Sequence, residues 1–171
     1  GILFSCVVGL AVDLAHQKKR LELMSEHDPL TGLPNRRVLF RELEKAMEAK
    51  RPFALCYMDL DDFKIYNDTF GHDAGDLVLT TVVGIIKDNI RRTDMLIRMG
   101  GDEFLLVMPD IGEQAFADKL NQIQEKVHSS KVPGYSQLRI SVSIGGVLSG
   151  LGNTVEQAIR KADQFMYQAK T

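Results

Sequence analysis

Two cysteines in 171 residues leave no disulfide framework to build on. Cys6 and Cys56 both sit in apolar runs, which reads as two buried, reduced thiols in a cytosolic domain. Charge of one sign is also missing. The net charge is −2, so no basic field recruits nucleic acid and no nucleic-acid partner is expected. No apolar run reaches the roughly 20 residues that cross a bilayer, and there is no low-complexity tract or internal repeat. What remains is ordinary globular composition, 44% hydrophobic and 26% charged, with enough chain for one domain and a real core.

The first dozen residues differ in kind. From Ile2 to Val12 the chain is apolar apart from Ser5, and Asp13 ends the run. No basic region precedes it, so it does not read as a signal peptide. Two readings stay open: the end of a membrane helix, with "HQKKR" suiting the cytoplasmic side, or the last strand of a sensor domain. "GLAVDLAHQKK" is similar to the strand and exit that close PAS sensor domains, and the Val- and Ile-rich composition favours the strand. Asp13 to His27 reads as a linker helix, with Leu14, Leu21 and Met24 at coiled-coil spacing among Lys18, Lys19, Arg20 and Glu22. Residues 1–27 are therefore expected to be the end of an upstream sensor or membrane segment plus a signal helix. Pro29, Gly32 and Pro34 break the pattern, and the main domain is expected over 28–171.

Elements then alternate. Asn35 suits the cap of a helix to about Lys50, with Leu39, Leu43 and Met47 on one face. "FALCYMDL" reads as a central buried strand. "DDFKIYNDTFGHDAGD" is a short helix and loop, and Asp73 opens a long helix to about Arg92. "DMLIRM" and "EFLLVMP" form a hairpin, and Gln114 to Val127 is a helix. Leu138, Ile140, Val142 and Ile144 alternate with polar residues, a strand pattern. Thr154 and Gln157 form a capping box for a last helix whose inward face is Ala158, Ile159, Ala162, Phe165, Met166 and Ala169. The class is α+β: one mainly antiparallel sheet with helices packed on it.

Two acids stand out against this order. Asp59 ends the central strand, and Asp102 follows the Gly100–Gly101 turn in "RMGGDEFLLV". If the hairpin pairs beside the central strand, these carboxylates meet at one edge of the sheet, where they repel unless a cation lies between them. Oxygen ligands select Mg²⁺ or Mn²⁺, and such sites serve phosphate chemistry. A bare Gly-Gly-Asp is, by itself, more often only a polar turn.

The motifs together resemble one family. "GGDEF" at Gly100–Phe104 looks like the signature of the GGDEF-type diguanylate cyclases. "DPLTGLPNRR" at Asp28–Arg37 resembles that family's opening motif, and "MDLDDFKIYNDTFGHDAGD" at Met58–Asp76 its nucleotide-binding segment. "SVSIGG" and "KADQFMYQAK" resemble its closing strand and helix. The resemblance implies a palm-like, nucleotidyl-cyclase fold with a ferredoxin-like core, and the condensation of two GTP into cyclic di-GMP and two pyrophosphates. It implies that Asp59 and Asp102, with the Leu60 carbonyl, bind two Mg²⁺ (or Mn²⁺) per site, with Glu103 beside the metals or the attacking hydroxyl. Backbone N–H groups of Asp62 and Phe63 would cradle phosphate at a helix start. Lys64 and Lys170 would contact phosphate, Asn67 and Asp76 would read guanine, and Gly100 and Gly101 would line the substrate. Taken alone, Lys64 is a surface lysine, Asn67 a turn former and Asp76 part of a helix cap.

Arg91 and Asp94, the R-x-x-D of "RRTD", stand at the spacing of the family's inhibitory product site, where cyclic di-GMP binds. Without that resemblance they read as a cationic helix end and a strand-start acid. The family reading also implies a transient homodimer with facing active sites, in a cytoplasmic domain; on the membrane-helix reading of residues 1–12 the full-length protein is anchored to a membrane through its upstream part. No apolar surface stripe over 28–171 announces a permanent interface, so the linker helix is the expected dimerisation element. A closing basic loop and strand of the family are not found before Thr171, which would leave a domain that folds and binds but turns over slowly. The alternative function is a sensor module that binds cyclic di-GMP or GTP without catalysis.

Overall fold

The computed structural model describes residues 1–149 and 154–170, with the side chains of residues 22–24 outside the description. Among the described residues the chain forms α1 (Ile2–Met24), α2 (Arg36–Glu48), β1 (Phe53–Leu60), α3 (Phe63–Phe70), α4 (His72–Asp88), β2 (Met95–Gly100), β3 (Glu103–Pro109), α5 (Glu113–His128), β4 (Val142–Leu148) and α6 (Val155–Lys170). The strands make one sheet in the order β2-β3-β1-β4, and every neighbouring pair is antiparallel. β1 and β2 run the same way with β3 between them, and β3 and β4 run the same way with β1 between them. These are two split β-α-β units, the ferredoxin-like arrangement.

The sheet is a middle layer. Ala54, Cys56, Met58, Phe104 and Leu106 face α4 and α5, where Val78, Val82, Ile86, Ile123 and Val127 meet them. The alternate residues Leu55, Tyr57, Leu105 and Ile97 face α2 and α6, against Leu39, Leu43, Ala158, Ala162 and Met166. Covered on both faces and flanked on both edges, β1 is buried at all eight positions, which accounts for its nearly unbroken apolar sequence.

Local signals set the helix ends. Arg37 N–H donates to the Asn35 side chain at 3.1 Å, as expected of an N-cap. Thr154 and Gln157 exchange hydrogen bonds of 3.0 and 3.2 Å in the capping box. Gly145 sets how closely α6 approaches. A Cβ there would lie 2.0 Å from the Met166 backbone nitrogen, so β4 and α6 touch backbone to backbone.

Four expectations are corrected. Ile2–Val12 is not a strand; residues 2–24 form one continuous helix. Val-rich composition favours extension, but a strand needs a neighbour for its N–H and C=O groups, and the helix satisfies them internally. Cys6 on that helix is exposed, whereas Cys56 is buried and its thiol is pushed well above its ordinary value by burial. Strand β4 starts at Val142, not Leu138, because its partner β1 ends at Leu60, opposite Val142; Leu138 and Ile140 still bury into the core. On α6, Phe165 and Ala169 are exposed, since the close β4 contact narrows the buried stripe to Val155, Ala158, Ile159, Ala162 and Met166. Thr171, with which the sequence-read domain ends, lies outside the described residues.

Candidate functional site

The acids converge at one end of the sheet. Asp59 lies opposite Glu103 in the β1–β3 register, and the Leu60 N–H donates to the Asp102 carbonyl at 3.2 Å. Residues Asp59, Glu103 and Tyr57 point to the α6 side, as parity along a strand requires. There the Tyr57 hydroxyl donates to Glu103 Oε2 at 3.0 Å. Burial first, then the Glu103 partner, pushes the Tyr57 phenol well above its ordinary value, so it stays a donor. Lys170, on the last turn of α6, reaches Asp59 Oδ2 at 2.5 Å.

Asp59 is only 8% exposed, and its Oδ1 is buried with no hydrogen-bond partner. Burial raises the Asp102 carboxyl to about 7, helped by hydrogen bonding to Asp59 and by the Asp59 charge. When Asp102 is protonated it can donate to Asp59; when both are ionised, two carboxylates face each other and Oδ1 is stranded. Burial acts to lower the Lys170 ammonium, but the hydrogen bond and charge of Asp59, with Asp61 and Asp102, outweigh it and hold the ammonium above its ordinary value. A lysine already drawn in and an acceptor left over fit a site for a cation. Among the described residues no group of three or more acidic, histidine or cysteine side chains is arranged to hold a metal. The protein's share is the Asp59–Asp102 pair, the small carboxylate count that Mg²⁺ uses alongside water and phosphate.

The turn from β1 into α3 is braced from the start of β4 and the residue before it. Ser141 and Ser143 hydroxyls donate to the two Asp61 oxygens at 2.7 and 2.6 Å. Asp62 follows in the left-handed region at φ 59° and opens α3. Phe63 and Lys64 occupy the first turn, where backbone N–H groups have no intrahelical acceptor. Lys64 is exposed and Phe63 half-buried. Asn67 lies half-buried against α4: a Cβ on Gly75 would fall 1.8 Å from Asn67 Oδ1, so glycine is what lets this side chain sit there. Asp76, the next residue of α4, is exposed.

The Gly100–Gly101 turn is clamped by Arg98. Its Nε and Nη2 donate to the Gly101 carbonyl at 3.0 and 2.8 Å, and its Nη1 donates to both Asp28 oxygens at 3.0 Å. Burial acts to raise Asp28, but hydrogen bonds from Thr31 and Arg98 prevail and keep its carboxyl below its usual value. The sequence alone gives no reason to place Asp28, Arg98, Tyr57, Gly75 or Gly145 at the site. Their partners are distant along the chain, 70 residues for Arg98–Asp28 and 46 for Tyr57–Glu103.

Arg91 and Asp94 stand apart from this cluster and are paired with each other. Arg91 Nη2 and its backbone N–H donate to Asp94 at 2.9 and 2.7 Å, and Nη2 also donates to the Pro109 carbonyl at 2.7 Å. The Asp94 side chain is fully buried and that of Arg91 is 46% exposed. Beside them is a cavity of about 320 Å³ whose lining includes Lys87, Arg91, Arg92, Leu33 and Met95.

A four-stranded antiparallel sheet between two helical layers, with paired acids at one end, defines a palm-like fold. The chain belongs to the GGDEF-domain family: the family model described as diguanylate cyclase, GGDEF domain, matches residues 25–171. It is 38% identical over 166 residues to the bifunctional diguanylate cyclase/cyclic di-GMP phosphodiesterase MucR of Pseudomonas aeruginosa, covering 94% of this chain and 24% of that protein. The chain thus spans a quarter to a third of the length of the first curated relatives it matches. Diguanylate cyclase SiaD of Pseudomonas aeruginosa, solved with its activator SiaC, superposes with a TM-score of 0.80 at 32% identity, over 98% of this chain and 68% of that one. The coiled coil and GGDEF domain of DgcB from Caulobacter crescentus, solved with c-di-GMP, gives 0.78 at 26% identity, over 99% and 95%.

Proposed function

We propose that this chain is the catalytic domain of a diguanylate cyclase, condensing two GTP into cyclic di-GMP and two pyrophosphates. The observation that carries the reading is the buried Asp59–Asp102 pair with an unpartnered oxygen, beside Lys170 and the start of α3. The family implies a divalent metal. Asp59, Asp102 and the Leu60 carbonyl would hold it, as two Mg²⁺ or Mn²⁺ ions. Bound metal supplies positive charge to the phosphate oxygens and makes a nearby hydroxyl a better nucleophile.

The chain's own residues then have distinct tasks. Asp62 and Phe63 N–H groups receive phosphate oxygens at the positive end of α3. Lys64 balances charge that grows on the phosphates, and Lys170 moves from Asp59 to phosphate. Glu103, held by Tyr57, sits beside the attacking 3′-hydroxyl. Asp76 accepts from the guanine N1–H and N2–H donors, and Asn67 offers a donor and an acceptor. Gly100 and Gly101 leave room for substrate at the turn. One site holds one GTP, so two domains meet face to face about a two-fold axis, with α1 as the joining element and an upstream sensor as its input.

Arg91, Asp94 and the basic cavity beside them are the product-inhibition site in this reading. Because Asp94 is already saturated by Arg91, the ligand meets the guanidinium first.

The test is incubation with GTP and Mg²⁺ followed by chromatography. Cyclic di-GMP should form, and Asp59→Ala or Asp102→Ala should lower turnover by a factor of about 10³ or more, the loss expected when charge stabilisation at the reacting phosphate is removed. Near-normal turnover in either variant would overturn that ligand. GTP or cyclic di-GMP binding without product would turn the reading to a sensor module.

A further inference from the structure

Asp59 and Asp61 flank the end of β1, yet they are served differently. Both Asp61 oxygens accept from neutral hydroxyls, Ser141 at 2.7 Å and Ser143 at 2.6 Å. Asp59 is served by a cation. Its Oδ2 takes the Lys170 ammonium at 2.5 Å, and its Oδ1 is buried without a partner. The charge at this spot is thus balanced from within the chain. The ammonium has the sign of the metal assigned to Asp59 and Asp102 above, and two cations on one carboxylate repel each other.

Of the two partners, the lysine is the one able to leave. Its side chain is 33% exposed, against 11% for that of Asp59. It stands on the last turn of α6, and its charge is carried on a flexible four-carbon stem rather than a planar fork. Burial acts against its charge, but Asp59 first, then Asp61 and Asp102, keep it protonated. A destination lies close by. Asp62 and Phe63, assigned above to phosphate, follow Asp59 through a single turn that Asp61 braces.

We propose that Lys170 is an exchangeable internal cation: in the nucleotide-free domain it fills the place of the metal at Asp59, and it leaves when a polyphosphate accepts the ammonium. Metal and nucleotide therefore load together, and a divalent ion alone is held out. The proposal rests on the cyclase reading of Asp59 and Asp102 and adds to it an order of loading. If the ammonium closes the site in about nine molecules of ten, the apparent affinity for metal alone is about tenfold below the intrinsic one.

The experiment measures Mn²⁺ binding to the whole 171-residue chain, without nucleotide, from the loss of the free-ion electron paramagnetic resonance signal. Lys170→Met and Lys170→Gln remove the charge, and both should bind Mn²⁺ about tenfold more tightly than the parent chain; Lys170→Arg, which keeps it, should stay within about twofold. Neutral variants that bind Mn²⁺ no more tightly overturn the proposal. Lys64→Met removes an exposed cation at the start of α3. An equal gain there would make the effect one of net charge and would also overturn it. Adding Asp59→Asn to Lys170→Met should abolish the gain, and a gain that survives lies elsewhere and counts against the exchange. The parent chain supplies a reading that needs no variant to fold well. The Lys170 ammonium signal in ¹⁵N NMR, assigned by its loss in Lys170→Arg, should stay in place when Mg²⁺ is added alone. It should move when guanosine 5′-(α,β-methylene)triphosphate, which cannot release pyrophosphate, is added with Mg²⁺. Movement with Mg²⁺ alone contradicts the exchange. Product formation from GTP separates the two readings. Product together with unchanged Mn²⁺ affinity in the neutral variants leaves the cyclase standing and removes the exchange; tighter Mn²⁺ binding without any product does the reverse.

Discussion

Asp102 holds its proton to about pH 7 because it is partly buried next to Asp59. A carboxyl raised in the folded state favours folding most fully below its ordinary range, and that contribution is lost as pH rises through about 7. The metal-free domain should therefore melt at lower temperature above pH 7 than below it, and Asp102→Asn should remove most of that difference. A metal needs the ionised form, so its affinity should fall about tenfold per pH unit below pH 7. Calorimetric Mg²⁺ titrations in two buffers of different ionisation enthalpy would show proton release below pH 7 that fades above it; none at any pH would refute the coupling. At this scale the sequence displayed the acids and hid their supports. Asp59 and Asp102 stand out because each interrupts an apolar run. Arg98 and Tyr57 look like ordinary strand residues until folding brings Asp28 and Glu103 to them.

Elements are positioned by contacts as much as by their own propensities. Gly145 lets α6 rest on β4, and α6 carries Lys170 to Asp59. Gly145→Val should destabilise the domain by about 1–3 kcal/mol, the usual cost of overpacking, and should lower turnover further by displacing Lys170. Urea unfolding would measure the first and product formation the second; an unchanged midpoint would mean that α6 yields without cost. The same contact makes the buried face of α6 narrower than its residue spacing predicts. A helix seated backbone to backbone buries a narrow stripe, and Phe165 falls outside it. Strand and helix order was readable because period-two and near-four patterns alternate cleanly. The reach of β4 was not, because a strand ends where its neighbour does. At the β2 edge, the Arg91–Asp94 pair also closes the segment between α4 and β2. Arg91→Ala should relieve inhibition by cyclic di-GMP while leaving basal turnover near normal. Asp94→Ala should instead lower the melting temperature, since it strands the Arg91 N–H. Unchanged product affinity in Arg91→Ala, read by calorimetry, would remove the inhibitory assignment.

For the whole molecule the decisive prediction of the proposed function is that one domain holds half of the reaction. Specific activity should rise with protein concentration across a dilution series, and fusing a strong coiled coil in register with Val7, Leu14 and Leu21 should raise it at low concentration. Sedimentation in parallel would decide, because full activity from a demonstrable monomer is incompatible with facing sites. The identity of α1 as a helix is the least legible part of the fold, since the composition of its Val-rich front favours a strand, whereas among the described residues no strand pairs with it.

The Arg98 clamp has a mechanical consequence. One guanidinium grips Asp28, four residues past the end of α1, and the carbonyl of Gly101, the residue before Asp102. The segment leaving α1 and the acid-bearing turn are thereby members of one rigid lever. If two α1 helices pair as proposed, rotating them about their common axis would swing both turns through the same angle. The input to such a pair would be torque, and its output the aim of one proposed phosphate site at the other.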